Sequence, residues 1–190
     1  MMMDTKGTEL ATTLGARSLK RDTQAEGLQY LTFNLAGEEY GIDILKVQEI
    51  RGWMPVTKVP NAPVFVRGVM NLRGAIVPVI DLRLRFGLEA VEYTKITVVI
   101  VVTVQSDSGS RIIGMVVDGV SDVLNISATD IKSPPDFGTA VHTEFISGLV
   151  TIETSMVMLL DVDRLLSIDE MFALEAVRAT DSRSAAILAA

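Results

Sequence analysis

The chain of 190 residues has no cysteine and a single histidine, His142. Disulfides, thiolate metal sites and cysteine nucleophiles are therefore excluded, and no multi-histidine metal cage can be assembled. The missing cysteine also fits a reducing, cytoplasmic setting. Long apolar runs are absent too. The longest, Ile96–Val104, is nine residues with two threonines, whereas a spanning helix needs about 20. The opening Met1-Met2-Met3-Asp4 has neither the basic region nor the apolar stretch of a signal peptide. A soluble protein with no direct membrane insertion is expected. No P-loop and no GxGxxG occur, and His142, beside Thr143 and Glu144, has no serine nucleophile motif to serve. The nine methionines are spread along the chain, which reads as core filling rather than a soft-metal box. The expectation is no catalytic residue, no metal and no cofactor.

Charge is unevenly distributed. The net charge is −7, yet residues 43–85 carry seven basic side chains against three acidic, and everything from Phe86 onward carries six against fifteen. The basic stretch has few interleaved aromatics and the remainder would repel phosphate, so nucleic acid is not an expected partner. Two differently charged surfaces suit protein partners better.

What the chain has in quantity is β-branched residues: isoleucine and valine number 38, a weight that favours strands. Leu31, Phe33 and Leu35 alternate with polar residues up to Ala36-Gly37-Glu38, after which Tyr40, Ile42 and Ile44 resume the pattern, a hairpin signal. Ile96–Val104 and Arg111–Val117 flank a polar turn and run unbroken, so both their faces are expected to be covered. Ser167-Ile-Asp-Glu170 matches a capping box, with Met171, Leu174 and Val177 at helical spacing beyond it. Residues 1–26 show no consistent apolar period and read as a flexible tail.

The two halves, about 29–95 and 96–166, overlay. Tyr40–Ile50 lies over Ile113–Val123, and Gly68–Asp81 lies over Gly148–Asp161. Two matches in the same order argue for duplication, hence an all-β fold of two small barrels packed together, with strands that could be exchanged between them and the doubly covered strands where they meet. Asp161-Val-Asp163 could be half of a metal site, but its aligned copy reads Asp81-Leu-Arg83; a turn after a buried strand accounts for both aspartates. A small ligand-binding barrel using Asp161, Asp163 and His142 stays open as an alternative.

One segment is unusual. Asn71-Leu-Arg-Gly74 puts a cation at a turn between two apolar strands, and Val47 and Glu49 share a face if that stretch is extended. An acid and a base beside an apolar residue make either a recognition patch or an ordinary exposed salt bridge.

Four stretches, Glu38–Gly52, Gly68–Gly74, Ile76–Arg83 and Val116–Leu124, together resemble the CheW family of bacterial chemotaxis coupling proteins, and the resemblance runs in unbroken order from about Gln29 to Ser167. It implies two five-stranded SH3-like barrels over residues 27–168, with a C-terminal helix and tail over 167–190. It implies a job without chemistry: joining the cytoplasmic tip of methyl-accepting chemotaxis receptors to the regulatory domain of the histidine kinase CheA. The positions matching the family's receptor-binding motif are Val47, Glu49 and Arg73, with Asn71 nearby; Glu49 and Arg73 would pair with each other or meet receptor side chains. The kinase-binding residues are not assigned by it. A stand-alone cytoplasmic adaptor recruited to receptor arrays is the resulting expectation, and the same adaptor in a surface-motility or second-messenger array is the alternative.

Overall fold

The computed structural model describes residues 27–106, 109–135 and 144–167. The expected N-terminal tail, His142, and the terminal helix beyond Ser167 lie outside the described residues. Ten strands follow in order: β1 Leu28–Leu35, β2 Glu38–Asp43, β3 Val47–Gly52, β4 Val66–Leu72, β5 Ala75–Asp81, β6 Val98–Ser106, β7 Gly109–Val117, β8 Gly119–Ile126, β9 Ile146–Ile152 and β10 Ser155–Leu160. Two four-residue helices, α1 Leu82–Arg85 and α2 Val162–Leu165, follow β5 and β10. The mostly β architecture is as expected.

The strands form two five-stranded sheets. The first has the order β8-β1-β2-β10-β9 and the second β3-β6-β7-β5-β4. Setting β1–β5 over β6–β10 turns one order into the other. In both sheets a single parallel pairing, β2 with β10 and β5 with β7, joins strands from different halves of the chain. Pro78 lies in β5 just before its pairing to β7 begins at Val79, so its missing N–H meets no ladder on that side.

Each sheet is drawn round on itself. The chain leaving edge strand β3 crosses to the opposite edge, where Thr57 and Val69 exchange N–H···O bonds of 2.9 and 2.8 Å. The chain leaving β8 does the same, with Lys132 and Leu149 exchanging two bonds of 2.8 Å. Glycine permits both crossings. Gly68 has φ +144° and a Cβ there would strike the Thr57 carbonyl; a Cβ on Gly148 would strike the Ile131 side chain. These are the two glycines that open the second overlay in the sequence.

Three apolar layers result. Met70, Leu72, Val77, Val79, Val99 and Val101 are buried within the second sheet, and Ile126, Val150, Val157 and Leu159 within the first. The largest layer lies between the sheets and takes Leu31, Phe33 and Ile42 from one and Ile100, Val102 and Met115 from the other. Strand β6 shows why its sequence does not alternate: Ile100 and Val102 face the shared core while Val99 and Val101 face the second sheet's own. Leu165 and Leu166, at the end of α2, close the shared layer at 0% and 1% exposure.

The aspartates Asp81 and Asp161 occupy equivalent places. Asp81 accepts from Leu84 N–H to cap α1, and Asp161 accepts from Asp163 and Arg164 N–H to cap α2. Asp81 also accepts a 2.6 Å bond from the Tyr93 hydroxyl. Burial and this carboxylate push the Tyr93 phenol well above its ordinary pKa, and the ring packs against Trp53 at 4.1 Å.

Candidate functional site

Edge strand β3 and the β4–β5 hairpin carry all four residues singled out from the sequence. The turn Arg73-Gly74 has φ of +52° and +93°, the paired left-handed geometry whose twist suits a two-residue hairpin. Asn71 serves that turn: its side-chain oxygen accepts from Gly74 N–H at 2.8 Å. Arg73 stands out from it, 84% exposed, and donates through Nη2 to Glu49 Oε2 at 2.7 Å.

β3 and β4 are the two edges of the second sheet, so this ion pair bridges edges that the hydrogen-bond ladder leaves far apart. Arg51, two residues after Glu49 on the same strand, adds a second contact, Nε to Oε1 at 3.4 Å. One carboxylate, 19% exposed, is thus held between two guanidiniums. Arg51 was not singled out by the sequence reading. Its spacing from Glu49 placed it on the same face, and that signal was available.

Val47 stands apart from this cluster, against expectation. A one-residue bulge at Gln48 sets Val47 opposite Val102 but Glu49 opposite Val101. Directly paired residues share a face, so Val47 lies against the shared core with Val102, while Glu49 lies on the second sheet's own side. The extra residue reverses the alternation. Gln48 is fixed in the bulge by a 2.7 Å bond to the Thr103 hydroxyl. Val47 is half-buried and packs against the shared layer.

The aspartates considered as a metal half-site are occupied otherwise. Asp163 takes Lys46 Nζ at 2.6 Å and Gln105 N–H at 2.7 Å, beside a pocket of about 210 Å³ also lined by Tyr30, Asp43 and Asp161. Among the described residues no three His, Cys, Asp or Glu side chains gather as a metal site. A second ion pair missed in the sequence ties the sheets together. Arg83 of α1 grips Asp118 with two 2.7 Å bonds, and Asp118 also accepts Ala36 N–H from the β1–β2 turn at 2.8 Å. Desolvation alone would raise the Asp118 pKa, but the hydrogen bonds from Arg83 and Ala36 hold it below the ordinary carboxylate value.

The model of the family described as CheW-like domain matches residues 29–170, a span that contains every strand except the first residue of β1. The chain belongs to the CheW-like domain family. It is 50% identical to the chemotaxis protein CheW of Klebsiella aerogenes over 76% of this chain and 85% of that one. It is 39% identical to CheW of Rhizobium meliloti over 76% and 90%. The crystal structure of the scaffolding protein TtCheW from Thermoanaerobacter tengcongensis superimposes with a TM-score of 0.66 at 34% identity, covering 73% of this chain and 92% of that one. The two-sheet arrangement is therefore a CheW arrangement. Among the described residues no helix is long and apolar enough to cross a membrane.

Proposed function

We propose that this chain is the coupling scaffold of a chemotaxis array, joining the cytoplasmic tips of methyl-accepting receptors to the regulatory domain of CheA and so controlling kinase autophosphorylation. The observation that carries this is the family match over residues 29–170, reinforced by 50% identity to a CheW along most of both chains. The protein works by holding partners in place and contributes no chemistry of its own. The receptor-facing site is the end of the second sheet, where Glu49 and Arg73 lock strand β3 to the β4–β5 hairpin, Asn71 shapes the turn, and Val47 supplies apolar surface from the adjoining face. The protein is cytoplasmic and reaches the inner face of the membrane through its receptors.

The test is calorimetric titration with the CheA regulatory domain of the same cell, followed by a kinase assay reconstituted with receptor. One-to-one binding at micromolar Kd or tighter, with receptor-dependent kinase control, is expected. No binding to any CheA of that cell would remove the coupling role.

A further inference from the structure

The two sheets share a strand order, and equivalent positions carry opposite charge. Arg73 and Glu153 stand at the same place in the β4–β5 and β9–β10 turns, with φ of +52° and +53°. Glu49 and Asp122 lie at the same place in edge strands β3 and β8, each of which carries a one-residue bulge. In the second sheet the carboxylate of Glu49 meets Arg73 and also Arg51, leaving one positive charge in excess. In the first sheet both equivalent positions are acidic, and Arg51 is replaced by Leu124. The contrast extends to the whole of each unit. Among the described residues, the second sheet with its loops and helix (47–117) carries eight basic side chains against four acidic, while the rest carries three against ten.

A duplicated fold has a recognition problem: a partner shaped to fit one hairpin end meets nearly the same backbone at the other. Charge of opposite sign removes the ambiguity, since like charges set against each other at an interface disfavour the wrong pairing. We infer that the Glu49–Arg51–Arg73 cluster takes a carboxylate from an acidic partner surface, and that the matching Asp122 and Glu153 positions repel the same surface from the first sheet. Arg73 suits the task. It is 84% exposed and donates through Nη2 to Glu49, so most of its planar fork of donors faces outward, in the geometry that pairs with a carboxylate. This inference rests on the reading that receptor tips meet this face, and it adds that their contact residues are Asp or Glu.

The test is binding of a soluble receptor-tip fragment from the same cell, measured at about 0.05 M and about 0.5 M salt, where charge screening differs strongly. Variants are Arg51→Gln, Arg51→Glu and, as control, Glu153→Gln, each checked for an unchanged thermal melt. Affinity of the unaltered protein should fall with salt. Arg51→Glu should weaken low-salt binding about tenfold or more, Arg51→Gln should blunt the salt dependence, and Glu153→Gln should bind as the parent does. Binding that ignores salt and tolerates Arg51→Glu overturns the inference and leaves the receptor reading standing. No binding of the unaltered protein at either salt overturns both.

Discussion

Arg73 holds a left-handed backbone conformation, which disfavours most side chains other than Gly, Asn and Asp. Its ion pair, with the arginine 84% exposed, adds at most about 1 kcal/mol. Stability and function should therefore separate at this residue. Arg73→Asn is expected to leave urea-unfolding stability within about 0.5 kcal/mol of the parent, since asparagine suits the turn, while receptor coupling in the kinase assay is lost. Asp118 makes the opposite case, a charge placed for stability. Its folded-state pKa lies below the unfolded value, so its contribution is complete above about pH 4 and disappears as pH falls through the lower folded value. Asp118→Asn should remove that part of the acid sensitivity and, by weakening the bidentate grip of Arg83, cost about 2 kcal/mol at neutral pH; unfolding curves from pH 2.5 to 7 (~0.5 pH steps) would check both. At this scale the sequence was legible where a residue acts locally: Asn71 and Arg73 announce a turn. It was silent about Asp118, whose partners Ala36 and Arg83 are distant in the chain.

Elements explain why Val47 and Glu49 do not share the face that their spacing implies. Alternation assigned Val47 and Glu49 to one face because counting by twos is all a strand sequence offers. The bulge at Gln48 inserts one residue and divides them, and nothing local in Lys46-Val-Gln-Glu49 marks it, since its cause is the match to β6 and the bond to Thr103. The glycines were more legible, because Gly68 and Gly148 recur in both halves, although their purpose is visible only in the crossings they permit. Gly68→Ala should cost about 2–3 kcal/mol by forcing the Thr57–Val69 bridge apart, measured as a lower urea midpoint with an unchanged slope. Gly87→Ala is a useful comparison: it too has a positive φ, but nothing lies within contact of its Cβ, so only backbone strain of about 1 kcal/mol applies. Near-equal losses at the two sites would argue against steric closure.

At the scale of the molecule, the shared layer makes the two sheets one cooperative unit. Phe33, Ile42, Ile100, Val102, Met115 and Leu165 are all 0% exposed within it, and each contributes about 1.5–3 kcal/mol on burial. Trp53 reports on the second sheet alone, whereas far-ultraviolet circular dichroism sees both. The two signals should change together in a single transition, and Ile100→Ala should shift both equally, by about 2–5 kcal/mol. Two separate transitions would mean that the sheets stand independently. The duplication and the doubly covered β6 were readable from the sequence because they are patterns of residue type. The allocation of strands to sheets was not, since the pairings β2–β10 and β5–β7 join residues far apart in the chain with no sequence mark of their own.

That allocation has a consequence during synthesis. When β5 has left the ribosome the emerged chain holds two hairpins' worth of strands and an unpaired β3, but neither sheet: the first still lacks β8, β9 and β10, and the second lacks β6 and β7. Valine- and isoleucine-rich edges therefore wait in the open until the second half arrives, which makes the nascent chain a client for holding chaperones and exposes it to strand exchange between neighbours on a polysome.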